Sequence, residues 1–144
     1  MVRKIEILDR FGEVVKSWKV SEGAEPFIGV DWMGELLDGA QLQGANFTNA
    51  QLYWAIFIEA NLNDANFEKA QMQGVVLDGA SCVGTNFRDA NMGRDNLGRG
   101  SSFCGTNFKN ASFHGAKLEG AQYDDNTVFP KGLFPKSHGM IEVS

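Results

Sequence analysis

The chain has 144 residues, with 13 Lys plus Arg against 18 Asp plus Glu and a formal net charge of -5. The length points to one domain, and 43% hydrophobic residues exclude global disorder. The acidic balance excludes a direct nucleic-acid binder, which needs Lys and Arg clustered on one face. No apolar stretch approaches the roughly 20 residues of a membrane span. Met1 to Glu6 have no secretory apolar region behind their charges, and two cysteines cannot build a disulfide framework. The expectation is a cytoplasmic protein with no membrane contact.

The N-terminal segment reads as a β-hairpin. Arg3 to Leu8 and Val14 to Val20 are strand-like, and Asp9-Arg10-Phe11-Gly12 between them is a turn with a glycine available for positive φ. Ser21 to Pro26 is a linker, so residues 1–26 form a first unit. Its expected role is to cap the end of the adjoining unit, with recognition as the other use of such a hairpin. Val30-Asp31-Trp32 has the outline of a degenerate repeat.

From Glu35 to Asp125 the chain repeats every five residues. Ala40-Gln41-Leu42, Ala45-Asn46-Phe47, Ala50-Gln51-Leu52 and Ala60-Asn61-Leu62 show the pattern: a small shoulder, a polar residue, then a large apolar centre. Eighteen repeats can be placed, and 12 of the 13 alanines sit at shoulders. An α-helix would smear a five-residue period around its whole surface, and a strand has period two. The chain must therefore turn a corner once per repeat, with centre and shoulder inward and the other three positions outward. Four corners close a square, so 20 residues make one coil. Phe47, Phe67 and Phe87, each 20 apart, support that number.

Eighteen repeats give about 4.5 coils, and a shaft roughly 22 Å long at the spacing of neighbouring strands. With Asp95-Asn96-Leu97 taken as a repeat and one residue inserted after it, Phe108 joins the column of Phe47, Phe67 and Phe87. The other expected columns are Leu52-Met72-Met92-Phe113, Leu42-Leu62-Cys82-Phe103-Tyr123 and Leu37-Phe57-Leu77-Leu97-Leu118. The irregular stretch around Arg94, Asp95 and Arg99 departs most from the pattern. Asp95 falls at a shoulder, where a buried carboxylate must be paired or hydrogen-bonded. A bulge at a coil corner and a small recognition loop are the two readings. After Tyr123 the frame breaks, and residues 126–144, with Phe129-Pro130 and Phe134-Pro135, are expected to close the C-terminal end.

This pattern resembles the pentapeptide-repeat family, whose consensus is A-(D/N)-L-x-x, over Glu35 to Asp125. The resemblance implies an all-β fold, a right-handed quadrilateral β-helix over residues 27–125. It also implies that Phe129 to Pro135 is a family-type tail. Its best-understood activity, DNA mimicry by members that protect or inhibit DNA-binding proteins, is implied as one function among several. The long C-terminal dimerising helix of those members has no counterpart here.

An enzyme is not expected, nor a cofactor or a metal. His114 and His138, the only histidines, have no metal-ligand spacing. Cys82 is a centre and points inward. Cys104 points outward without an adjacent base. No phosphate loop or dinucleotide fingerprint occurs.

Two outer features suggest a protein partner. Numbering the faces from Leu37 as one, Leu42 as two, Phe47 as three and Leu52 as four, faces one and two carry nine acids against two bases, while faces three and four sum to +2. Asp38, Glu59, Asp64, Asp78, Glu119 and Asp124 would line an acidic side that a nucleic-acid-binding protein could accept in place of phosphate. An apolar patch of Tyr53, Trp54, Ile56, Ile58 and Val76 lies on the same side. The hairpin, a second copy of the chain giving a homodimer, or a foreign partner would cover it.

Overall fold

The computed structural model describes all residues 1–144. Its body is a β-helix. Parallel bridges join outward positions 20 apart: Leu36–Ile56–Val76, Gln41–Asn61–Ser81, Asn46–Asn66–Asn86 and Gln51–Gln71–Asn91. Each is backed by two strand-type hydrogen bonds, as where Ile56 N donates to Glu35 O (2.9 Å) and Leu37 N to Ile56 O (2.7 Å). A tight turn follows every centre from Leu37 to Leu118 except Met92, which leads into the inserted loop. In the first, Ala40 N donates to Leu37 O (3.1 Å) and the third turn residue, Gly39, has φ of 70°. That is the left-handed conformation a type II turn requires there. Most turns supply Gly or a polar residue at this place. Trp54, with φ of 60°, is the bulky exception.

The interior is columns of centres with alanine beside them. Phe47, Phe67 and Phe87 stack nearly parallel, with ring centroids 4.9 and 5.4 Å apart. Ala50, Ala55, Ala60, Ala65 and Ala70 are buried, because a second large side chain would not fit a core this narrow. Where Thr85, Ser101 and Thr106 replace alanine, their hydroxyls donate to Leu62, Met72 and Leu77 carbonyls. A buried hydroxyl needs such a partner.

The structure corrects the expected frame after residue 94. Val76 bridges Ser102, Ser81 bridges Asn107, Asn86 bridges Ser112 and Asn91 bridges Lys117, so the spacing jumps from 20 to 26. Six residues are inserted, not one. Leu97 is not a centre: it is 70% exposed. Phe103 lies over Leu77, Phe108 over Cys82, Phe113 over Phe87 and Leu118 over Met92, each one face away from the expected column. Asp95 does not enter the interior, because the inserted loop carries it outside.

At the N-terminal end, β1 (Val2–Leu8) and β2 (Val14–Ser21) pair antiparallel, with Ile5 opposite Trp18 and an irregularity after Ile7. Asp9 Oδ1 closes the turn by accepting from Phe11 N (2.8 Å) and Glu13 N (2.9 Å). The hairpin lies over the first coil. Leu8 O accepts from Gln41 N (2.8 Å), Lys16 pairs with Glu35 (2.9 Å), and Trp18 meets Trp32 edge-on at 4.9 Å. Trp32 begins the stack, its N donating to Gln51 O (2.9 Å). The hairpin thus covers the end of the core and not the patch around Trp54 and Ile56, contrary to one reading of the sequence. At the other end Phe129 lies over Phe108 (5.9 Å), a 3-10 turn spans Pro135–His138, and β3 (Gln122–Tyr123) pairs parallel with β4 (Ile141–Glu142).

Candidate interaction surface

The insertion re-sorts the surface charges. Face one, with centres Leu37, Phe57, Leu77, Phe103 and Tyr123, carries Glu35, Asp38, Glu59, Asp78, Asp124 and Asp125 and no Lys or Arg. Of the six acids expected on one side, the structure brings Asp38, Glu59, Asp78 and Asp124 together. Asp64 stands at the corner leaving face two, which also holds Lys109. Glu119 is on face four, because the insertion turns every later residue by one face. The acidic side is a single face, narrower and free of basic repeat residues, with Lys16 of the hairpin paired to Glu35 at its N-terminal end.

Two of these carboxylates also hold the backbone. Asp78 Oδ1 accepts from Ser102 Oγ (2.6 Å) and Cys104 N (3.1 Å) in the next coil. Asp124 Oδ1 accepts from Gly105 N (3.0 Å), Asn126 N (3.0 Å) and Thr127 Oγ1 (3.1 Å). The Gly105 N–H is the chief reason the Asp124 carboxyl lies below its ordinary range; partial desolvation works against it and the other donors add to it. Asp124 therefore stays charged well into acid. Asp38, Glu59 and Asp125 project into solvent.

The apolar ladder Leu36–Ile56–Val76 shares this face, with Ile58 beside it, and ends where Ser102 takes the next rung. Leu36 is 66% exposed and Trp54 38% exposed. Trp54 turns its indole over Gly74, where a Cβ would come within 2.6 Å of the ring. Its Nε1 donates to Asp95 Oδ2 at 2.9 Å. Tyr53 lies beside it and, with Met33 and Asn96, walls an apolar hollow of about 260 Å³.

The inserted loop is built around Asp95. Leu97 N and Arg99 N donate to its Oδ1 (2.8 Å each), and Arg99 Nε to its Oδ2 (2.8 Å). Arg94 instead donates to Gly98 O (3.0 Å). Of the three residues singled out here, only Asp95 and Arg99 form a pair. Burial by itself would raise the Asp95 carboxyl. The bonds from Trp54, Arg99 and Leu97 outweigh it and hold the group at about 2. A lowered folded-state value means its contribution is fully present above the ordinary Asp value of about 4 and is lost as pH falls through about 2. Trp54 emission should stay constant from pH 7 to 4 and change below it. In Asp95→Asn, which keeps an acceptor but loses the charge, the acid-side change should disappear. An unaltered acid transition in that variant would show that the docking depends on another group.

The sequence reading missed Leu97 and Met33 as surface residues. The available signal was a bulky Trp at the fifth repeat position and a carboxylate at a shoulder, two departures that turn out to be hydrogen-bonded to each other.

The sequence signature described as pentapeptide repeats matches in 8 copies, over residues 36–64, 55–94 and 99–122. The chain belongs to the pentapeptide repeat family. Among solved structures it is similar to the pentapeptide repeat protein Rfr23 from the cyanobacterium Cyanothece 51142, at 26% identity over 77% of this chain and 71% of that one, with a TM-score of 0.64. A pentapeptide repeat protein from the Arabidopsis thaliana thylakoid lumen is 27% identical over 72% of this chain and 75% of that one, with a TM-score of 0.54. A trypsin-treated form of QnrB1, a plasmid-mediated fluoroquinolone resistance protein, shares the fold at 17% identity, over 82% of this chain and 79% of that one, with a TM-score of 0.54. A search of curated proteins gave no match.

Proposed function

We propose that this protein is a non-catalytic binding module, a right-handed quadrilateral helix of about 4.5 coils capped by its hairpin and tail, which engages a protein partner through face one. The observation that supports it is the sorting of charge. Six carboxylates and no basic repeat residue occupy one face, only Glu35 of them paired, to Lys16 of the hairpin, beside an apolar ladder in which Leu36 is exposed and Ile56 and Val76 are half-buried. A solubilising charge has no reason to gather this way. The partner would be cationic around an apolar anchor, and a protein whose ordinary ligand is nucleic acid suits that description, with the carboxylates standing for phosphates.

A catalytic reading has little support. The Cys104 thiol is pushed up, first by burial and further by the charges of Asp78 and Asp124, although the Ser102 hydroxyl pulls the other way. A raised thiol is a weak nucleophile at neutral pH.

The test is affinity capture of partners at low and high salt, with the parent and with Asp38→Asn, Glu59→Gln and Asp125→Asn combined. Exposed charge pairs contribute about 0–1 kcal/mol each, so the combined variant should bind more weakly and lose salt dependence, with its melting temperature little changed. Equal binding by the variant would overturn the acidic reading. Salt-insensitive capture abolished by Ile58→Asp would instead favour the apolar ladder, with a second copy or another protein as its occupant.

A further inference from the structure

The geometry points to an anion-binding site at the C-terminal end of faces three and four, fit for a phosphate monoester with an uncharged ring. A hollow of about 490 Å³ lies over face four, and a smaller one of about 280 Å³ over face three, and the two meet at His138 in the 3-10 turn. The first receives Arg94 from the start of the inserted loop, Lys117 from the outward ladder and His138 from the tail. These are three nitrogen-bearing groups from three separate segments.

None of the three takes part in an ion pair; the four in the chain are Lys4–Glu6, Lys16–Glu35, Arg99–Asp95 and Lys136–Glu142. Arg94 uses Nη1 on Gly98 O and keeps its other guanidinium donors. Glu119 is the single acid in either hollow, and its stem packs over Gly139, where a Cβ would come within 3.2 Å of Glu119 Cγ. Bare backbone seats the arginine: a Cβ on Gly120 would lie 2.7 Å from Arg94 Cζ. The outward ladder below Lys117 reads Asp31, Gln51, Gln71, Asn91, so positive charge enters only at the rung that borders the hollow.

Arg and Lys bind phosphate through charge-assisted hydrogen bonds, stronger for a dianion than for a monoanion. The second hollow is of a different kind. Phe113, Pro130 and Leu133 give it apolar walls, with Lys131 and His114 at its edge. A phosphate in the first hollow would leave the rest of a monoester to lie against these walls. The site is off face one, so its failure would leave the proposed partner surface standing.

The experiment is a nitrogen-15 NMR titration of the full chain with adenosine monophosphate, inorganic phosphate or adenosine, at ionic strength held constant with sodium chloride. Both phosphates should shift Gly93, Lys117 and His138 signals saturably. Adenosine monophosphate should bind more tightly than inorganic phosphate and also move Phe113 and Leu133. Arg94→Gln combined with Lys117→Gln should weaken both by about tenfold or more, as expected for two lost bonds to a charged group. Both side chains are exposed, and His138→Gln in the tail gives a second, milder loss. Lys109→Gln, the loss of one positive charge on face two, should leave binding unaltered. Absence of a saturable response, an equal response in the double variant, or the same shifts with chloride alone would each overturn the site.

Discussion

Phe67→Ala is expected to lower the unfolding free energy by about 3–5 kcal/mol. Phe67 is fully buried and lies between Phe47 and Phe87, its ring within 4° and 11° of parallel to theirs. It also meets Phe57 edge-on at 6.1 Å. Truncation removes contacts to three rings and leaves a cavity that the coil cannot close, because the backbone spacing is set by parallel hydrogen bonds such as Phe67 N to Asn86 O (2.7 Å). Against a typical domain stability of about 5–15 kcal/mol, the variant should unfold at far lower urea. Phe113→Ala, at the half-buried end of the same column, should cost less. A loss below about 1 kcal/mol at Phe67 would show that the column relaxes freely.

Gly100→Ala should be as damaging, for a different reason. A Cβ at position 100 would lie 1.7 Å from Gly120 O and 2.5 Å from its carbonyl carbon. Those are backbone atoms of the next coil, which cannot swing aside. The seam around them is held by Gln122 N to Ser101 O (2.8 Å) and Phe103 N to Gln122 O (2.8 Å). Either that seam opens, or the inserted loop lifts and Asp95 loses its partners. A cost of about 3 kcal/mol or more is expected, the upper end of overpacking, with altered Trp54 emission if the loop is what yields. Gly98→Ala is the contrast. Open space surrounds that position, so only its φ of 79° matters, at about 1–2 kcal/mol. Equal stability of Gly100→Ala and the parent in thermal unfolding would show that the two coils do not approach this closely.

The role of Gly100 was illegible in the sequence, since nothing in the neighbouring residues announces a carbonyl from 20 positions later. The turn glycines were legible because their role is local: each sits at the same place in a repeat. The same division separates Asp95 from Trp54. Each looked out of place alone, and their hydrogen bond spans 41 residues. The interaction surface was partly legible for the same reason. Asp38, Glu59 and Asp78 precede the insertion and fell on the correct face. Glu119 follows it and did not.

The alternation of small shoulder and large centre determined by itself that the chain coils, that Phe47, Phe67 and Phe87 stack, and that Cys82 is buried. Inward placement depends only on position within a five-residue period, and the Phe column only on the unbroken 20-residue coil before the insertion. Which face a residue occupies depends on its position within the whole coil. A repeat followed by one extra residue and a six-residue loop leave the five-residue phase at Ser101 the same, yet they differ by one face. Leu97 as a centre and Leu97 at a loop tip are therefore equally compatible with the pattern. The hydrogen bonds between coils, Leu77 N to Ser102 O (2.8 Å) and Phe87 N to Ser112 O (2.8 Å), decide between them. The hydrogen-bond partners that the buried Asp95 carboxylate finds outside the core, and would lack inside it, favour the same solution. Only the tertiary structure could make that choice, and with it gather the carboxylates on one face.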